Sequence, residues 1–202
     1  TGINDKRIKY VNNETNLGEW RNIQNLFLTS TGKYFCTIAD DDLFSPTFFP
    51  TISNVIEKNN FPDCIFTSFT SKNDQFYKNK KIPNEKVYKS DFFFDKTLKF
   101  ELKVIGNYGI IKSKKVKDLG GIPNWNSNRG HYSDIWLTMF FVSNFESIYY
   151  FDEKLIYYRP HLGSQSYAAS DDKNWLECQI ELIEKSYRLF ESRFNNKKEE
   201  YT

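Results

Sequence analysis

The chain has 202 residues, of which 39% are apolar and 18% aromatic, and it carries 28 Lys and Arg against 26 Asp and Glu. This length allows one domain with a substantial core, and the aromatic content excludes a disordered chain. The near balance of charge argues against nucleic acid as a partner, which would need a concentrated basic surface. We therefore expect a packed globular protein in which residues 1–202 form a single domain.

The cysteines and the hydropathy pattern indicate a cellular compartment. Cys36, Cys64 and Cys178 are far apart and form no C-x-x-C pair. They predict neither a disulfide framework nor a structural zinc site, and they are typical of a reducing cytoplasm. The sequence contains no apolar run of eighteen residues and no signal-peptide pattern, so it predicts neither a transmembrane helix nor secretion.

Strand-like and helix-like segments alternate along the chain. In chain order we expect a strand at 7–11, a helix at 18–30, a strand at 33–39, a helix at 46–58, a strand at 63–69, a polar loop or peripheral strands at 71–89, a helix from 90, a strand at 107–112, a helix at 113–119, a helix at 133–142 and a strand pair at 147–151 and 155–158. Such alternation predicts an α/β fold with a mostly parallel sheet flanked by helices.

A long C-terminal helical extension is expected over residues 171–202. Its apolar residues recur at spacings of four and three, namely Leu176, Ile180, Ile183, Tyr187, Phe190 and Phe194. This stripe predicts a helix that packs on the domain. A homodimer through the same helix is the less favoured alternative, because the stripe is too short to require a coiled coil.

Three consecutive aspartates, Asp40, Asp41 and Asp42, follow a short apolar run. Adjacent buried carboxylates are costly unless a cation or a polar ligand neutralises them, and Mg²⁺ or Mn²⁺ prefers such oxygen ligands. In extended backbone Asp40 and Asp42 would point the same way. The alternative is an acidic turn before a helix that begins at Ser45 and Pro46. The triplet alone leaves both interpretations open.

The surroundings of the triplet carry a family resemblance. Residues 16–22 read NLGEWRN, residues 31–34 read TGKY and residues 40–46 read DDDLFSP. This order resembles the central block of the family-2 glycosyltransferases of the GT-A fold, which have an N-x-G-x-x-x-A-R-N run, a helix, G-x-Y, a strand and an acidic motif before a proline-started helix. Ala39 stands where many relatives have Asp.

The resemblance also implies what should precede the matched block. Family-2 enzymes open with two strands, one carrying a P-x-Y-N-like run and one ending in an acidic run, and these cradle the nucleotide. Neither run is found before Asn16. We therefore expect a GT-A-like domain that is truncated at its N-terminus.

Site residues follow from the resemblance, beginning with the triplet. It implies that Asp42 and Asp40 bind a metal ion and that Asp40 and Asp41 share the contacts to ribose and metal. Residues 157–166 read YYRPHLGSQS, which is similar to the family's Y-R-x-H-x-x-S-x-S ending. His161 would then contact the metal or a phosphate, and Arg159 would supply a counter-charge to phosphate.

A second acidic position is expected at the start of a helix. Residues 120–123 read GGIP and residues 130–137 read GHYSDIWL, which is similar to the family's G-G-F block followed by E-D or S-D. The matching residue, Asp134, would be the general base, and the helix dipole should keep it ionised. The alternative is that Ser133 and Asp134 only cap the helix.

The resemblance implies an inverting, metal-dependent glycosyltransferase. It would use Mg²⁺ or Mn²⁺ and move a sugar from a nucleoside diphosphate sugar to a hydroxyl of a glycan or lipid-linked acceptor, in surface polysaccharide or glycan biosynthesis. Such an acceptor is consistent with a cytoplasmic protein that makes peripheral contact with the inner face of the membrane. A sugar-phosphate nucleotidyltransferase and a non-catalytic sugar-binding or partner module are the alternatives.

Overall fold

The computed structural model describes residues 5–72, 85–99, 101–102, 104–123, 132–162 and 172–194. Its elements, in chain order, are α1 (Gly18–Thr29), β1 (Tyr34–Phe35), β2 (Leu43–Phe44), α2 (Phe48–Lys58), β3 (Cys64–Thr70), β4 (Glu85–Lys89), α3 (Ser90–Leu98), a 3₁₀ helix (Gly106–Tyr108), β5 (Ile110–Lys112), α4 (Ser113–Asp118), α5 (Ser133–Asn144), β6 (Ser147–Tyr157) and α6 (Asp172–Phe194). The α/β architecture predicted from the sequence is confirmed.

Most predicted elements are found, but the two earliest strands differ, and the strand expected at 107–112 is a 3₁₀ helix followed by a three-residue strand. Residues 7–11 form no strand and are exposed, and only Tyr34–Phe35 of the predicted strand at 33–39 is paired. Alternating apolar residues give a segment the capacity to pair, whereas a neighbouring strand must be present for pairing to occur. The helix expected from Pro46 begins at Phe48, with Thr47 at its N-cap and no side-chain cap.

The sheet is mixed. Its order is β1-β5-β3-β6-β2, and β4 pairs with the same edge of β6 as β2 does. Among the described strands only β3 and β6 run parallel, while the other four pairings are antiparallel. The expected mostly parallel sheet is therefore wrong for this part of the chain, because alternation of strand and helix signals does not specify the direction in which each strand returns to the sheet.

β6 is one long strand, whereas the sequence predicted a pair of strands at 147–151 and 155–158. Its register against β3 shifts on either side of Ser68, which marks a bulge around Asp152 and Glu153. Glu153 is buried and burial raises the pKa of its carboxyl. A polar pair inside a strand looks like a turn in the sequence, but the bulge accommodates it without ending the strand.

Two apolar cores lie on opposite faces of the sheet. Consecutive side chains of β3 alternate between these cores, since Phe66 belongs to the first core and Ile65 to the second. The first core contains residues of α1, α3 and α5, and the second is covered by α2. Both faces of the sheet are therefore packed, and β2 and the end of β6 meet at one of its edges.

The long helix α6 packs on α5 through a face that the sequence did not predict. Cys178 is buried, Leu189 packs on the first core, and the Lys185 Nζ lies 5.4 Å from the centroid of the Trp136 ring. The predicted stripe is half-exposed at its described positions, Leu176, Ile180, Ile183 and Tyr187. The expectation that this stripe packs on the domain is therefore wrong. Within the described ranges, every helix is too short or too polar to cross a membrane.

Candidate active site

The three aspartates form a turn, called here the acid turn (Asp40–Asp42), which leads directly into β2. The Asp42 N–H donates to the Ala39 carbonyl at 3.3 Å, so the backbone is not extended there. Asp42 is buried, whereas Asp40 is exposed. The expectation that Asp40 and Asp42 point the same way is wrong, because a turn does not alternate its side chains as a strand does.

Asp42 has both carboxylate oxygens occupied by the protein. The Arg159 backbone N–H donates to Oδ1 at 2.8 Å, and the Tyr108 hydroxyl donates to Oδ2. Burial, reinforced by this hydrogen bond, raises the pKa of Tyr108, so its hydroxyl stays protonated and remains a donor. Asp42 thus ties the acid turn to the end of β6 and to the 3₁₀ helix.

Asp41 faces His161 across the same edge. The His161 Nε2 and the Asp41 Oδ2 lie 2.8 Å apart, with side-chain exposures of 43% and 31%. The antiparallel pairing of Leu43 with Tyr157 explains this contact, because extending the register carries the acid turn alongside Arg159 and His161. Two blocks that are about 120 residues apart in the sequence therefore meet at one solvent-accessible position.

The donor atoms at this position suit a divalent cation. A carboxylate and an imidazole together bind metals such as Mn²⁺, and Mg²⁺ or Mn²⁺ commonly takes its remaining ligands from water and substrate phosphates. Among the described residues no group of three His, Cys, Asp or Glu side chains could hold a metal by itself. Asp41 and His161 fit a partial ligand set that a diphosphate would complete.

Asp134 lies in the first turn of α5. Burial raises the pKa of its carboxyl above the ordinary value of 3.8, and the backbone N–H groups of Ile135 and Asp134 offset part of this shift. Burial therefore acts against the ionised form, which the helix dipole was expected to favour. The residue at the helix N-cap is Tyr132, with φ of 61° and no side-chain cap, so neither Ser133 nor Asp134 occupies that position.

Glu19 approaches Asp134 from the first turn of α1. Although Glu19 keeps an exposed surface, enough protein surrounds its carboxyl that burial raises its pKa, and the charge of Asp134 raises it further. Burial is the larger cause of the Glu19 shift, and the charge of Asp134 is the smaller one. Glu19 was not predicted as a site residue from the sequence. The feature that could have indicated it is its position in the NLGEWRN block.

The 3₁₀ helix joins the two acidic positions. Gly106 packs so closely on α5 that a Cβ there would overlap the Asp134 carbonyl oxygen. Two residues later, Tyr108 reaches Asp42. The 3₁₀ helix therefore contacts the start of α5 at one end and the acid turn at the other.

The chain is similar to known proteins in sequence and in fold. Residues 2–116 match the family model described as glycosyl transferase family 2. The chain belongs to glycosyl transferase family 2. No curated protein matches it. Among solved structures it is similar to "Crystal structure of S. aureus TarS 1-349 in complex with UDP-GlcNAc", with a TM-score of 0.58 and 14% identity over 80% of this chain and 45% of that chain.

These comparisons support some expectations and leave others open. The likeness to TarS confirms the GT-A-like fold, and this chain spans 45% of the length of the TarS chain. Family membership favours glycosyl transfer over the nucleotidyltransferase and non-catalytic alternatives. The roles assigned to individual site residues stay predictions.

Residues 121–123 are held against α1 by hydrogen bonds and close packing. The Ile122 N–H donates to the Gln24 Oε1 at 2.9 Å, and the Trp20 indole N–H donates to the Pro123 carbonyl. Gly121 has φ of 103°, and a Cβ there would lie 2.5 Å from the Gln24 Nε2. The segment 124–131 that continues to α5, and the block residues 163–166, lie outside the described ranges.

Proposed function

We propose that this domain transfers a sugar from a nucleoside diphosphate sugar to an acceptor hydroxyl with inversion, in surface polysaccharide or glycan biosynthesis. The observation that carries the proposal is the meeting of the acid turn with the end of β6, where Asp41 and His161 are 2.8 Å apart. The UDP-GlcNAc named in the TarS structure supports a donor of this class. A lipid-linked acceptor, and with it peripheral contact with the inner face of the membrane, belongs to the same proposal.

The donor diphosphate would sit at the edge formed by the acid turn and the end of β6. Asp41 and His161 would hold Mg²⁺ or Mn²⁺, which when bound supplies Lewis-acid stabilisation of the leaving diphosphate. The exposed Arg159 would add a counter-charge to the phosphates. Asp40, which is exposed on the same turn, would contact the ribose.

The resemblance implied that Asp42 binds the metal, whereas in this proposal Asp42 positions its neighbours. Its two hydrogen bonds hold Asp41 and the Arg159 backbone in register, which makes it a positioning residue. A carboxylate has about four lone-pair sites, so Asp42 keeps the capacity for a further ligand. The geometry nevertheless favours Asp41 as the main oxygen ligand, because its carboxylate reaches solvent.

Asp134 would act as the general base. A carboxyl with a raised pKa is a stronger base once ionised than an ordinary aspartate, and general bases are most effective when their pKa lies near the working pH. Asp134 would take the proton from the acceptor hydroxyl as that oxygen attacks the anomeric carbon. Attack from the side opposite to the leaving diphosphate inverts that carbon.

The test is a thermal-shift and turnover assay with a panel of nucleoside diphosphate sugars, with and without Mn²⁺. We expect Asp41→Ala to lose the Mn²⁺-dependent shift in melting temperature. We expect Asp134→Asn to keep that shift but to release no nucleoside diphosphate in the turnover assay. Asp95→Asn, which alters an aspartate paired with Lys99 on α3, serves as the control. Identical shifts in Asp41→Ala and Asp95→Asn would refute the proposed donor site.

A further inference from the structure

A second concave surface lies at the opposite edge of the sheet from the acid turn. It is a hollow of about 630 Å³ beside β1 and β5, whereas the acid turn adjoins β2 at the other edge. Its volume is within the range of small-molecule sites. The residues that line it are Gly32, Lys33, Tyr34, Asn60, Phe61, Lys112, Ser113, Lys114 and Lys117. We call this surface the lysine hollow.

The lysine hollow concentrates positive charge. Four of its lining residues are lysines, although the whole chain has a formal net charge of only +2. Two aspartates balance part of this charge, since Lys112 contacts Asp63 at 3.2 Å and Lys114 contacts Asp118 at 2.7 Å. Lysines therefore outnumber carboxylates at this surface, which attracts anions.

Ser113 adds a buried hydroxyl to the hollow. It lines the hollow, only 4% of it is exposed, and its Oγ has no hydrogen-bond partner among the described residues. A buried hydroxyl without a partner costs free energy, and most such groups in folded proteins are satisfied by protein, water or ligand. An oxygen-rich ligand in the hollow would accept a hydrogen bond from this hydroxyl.

The rim of the hollow is held in an unusual backbone conformation. Asn60, two residues beyond the last residue of α2, adopts φ of 53°, and the Phe61 N–H donates to the Ile56 carbonyl at 2.8 Å. Phe61 itself has φ of 60°, which is uncommon for a bulky residue. The Lys33 Nζ lies 5.6 Å from the centroid of the Phe61 ring, and the Lys112 Nζ donates to the Phe61 carbonyl at 3.2 Å. Phe61 thus positions two of the lysines.

From these observations we infer that the lysine hollow binds a phosphate-bearing ligand, away from the proposed donor site. Lysine ammonium groups are common phosphate ligands, and a buried hydroxyl donor adds a charge-assisted hydrogen bond. The rings of Tyr34 and Phe61 supply apolar contact for the rest of the ligand. This inference uses neither the metal nor the acid turn, so it does not depend on the proposed function.

The experiment titrates the ¹⁵N-labelled chain with inorganic phosphate and with pyrophosphate in EDTA, which removes any metal-dependent binding at Asp41. We expect saturable shifts of the amides of 32–34 and 112–117. A parallel arm measures co-sedimentation with phosphatidylglycerol vesicles against phosphatidylcholine vesicles. Binding of soluble phosphate identifies a free phosphate ligand, and selective phosphatidylglycerol binding identifies a lipid headgroup.

Two substitutions assign the binding to the hollow. Lys114→Ala should weaken it about fivefold, as expected for the loss of one lysine near a phosphate. Lys99→Ala is the matched control, because Lys99 also pairs with an aspartate one helical turn away but lies outside the hollow. Ser113→Ala should weaken binding while the melting temperature is kept or raised, because it removes an unsatisfied buried hydroxyl.

The inference would be overturned if neither phosphate nor phosphatidylglycerol bound in a saturable way. It would equally be overturned if Lys114→Ala and Lys99→Ala weakened binding to the same extent, since the attraction would then be a general charge effect. Unchanged binding by Ser113→Ala together with unchanged binding by Lys114→Ala would also place the ligand elsewhere.

Discussion

The acid turn and the start of α5 both carry aspartates, yet their surroundings treat these carboxylates in opposite ways. Asp42 is buried and receives two hydrogen bonds, from the Tyr108 hydroxyl and the Arg159 N–H. Asp134 is half-buried, burial raises the pKa of its carboxyl, and Glu19 faces it with a like charge. The two hydrogen bonds of Asp42 stabilise the turn, whereas the raised pKa of Asp134 makes its carboxylate more basic than an ordinary aspartate.

The largest effect is expected from Asp134→Asn. If Asp134 is the general base, the substitution should lower the transfer rate by about 10²- to 10⁴-fold. The same change should raise the melting temperature at pH 7, because it removes a charge whose burial the fold disfavours. Turnover assays and thermal denaturation of the same preparation would check both. A variant that lost activity and stability together would indicate a structural role instead.

Asp42→Ala should act chiefly on stability. It would leave the buried Tyr108 hydroxyl and the Arg159 N–H without an acceptor, and we expect a loss of about 2–4 kcal/mol in the free energy of unfolding. Urea denaturation measures this. Asp40→Ala, at an exposed position of the same turn, should change stability by less than about 0.5 kcal/mol. Equal losses in both variants would contradict the contrast drawn above.

His161→Ala should affect metal affinity and leave the fold intact. Its side chain is 43% exposed and contacts Asp41 at the surface, so we expect a stability change below about 1 kcal/mol. Loss of a metal ligand should weaken Mn²⁺-dependent donor binding by about tenfold or more. Calorimetric titration of the donor with and without Mn²⁺ would test this. Unchanged Mn²⁺ dependence would remove His161 from the proposed ligand set.

The smallest effect is expected in the dependence of stability on pH. The folded-state pKa values of Asp134 and Glu19 are raised, so the folded chain binds more protons than the unfolded chain just above the ordinary values of 3.8 and 4.5. Their contribution to stability therefore falls as pH rises through that window. Asp134→Asn should flatten this decline, as measured by denaturation at stepped pH. A slope identical to that of the parent chain would refute the assignment.

The local blocks could be predicted because their signals lie close together in the sequence. The motif over residues 16–46 sufficed for the family, and local helix signals placed α1, α3, α4 and α5 near their observed bounds. The block ending in His161 was also recognisable from its own residues. Periodicity and motif spacing depend on neighbours along the chain, which a single sequence displays directly.

Tertiary structure alone decided what each carboxylate meets. Whether Asp42 faces solvent or Tyr108 depends on a turn and on a 3₁₀ helix 66 residues away, and Glu19 meets Asp134 only because α1 lies beside α5. The antiparallel strand directions and the lysine hollow likewise arise where distant segments come together. Burial, strand direction and charge pairing are properties of packed surfaces, so residue types and spacings determine which groups are present, and packing determines how each of them behaves.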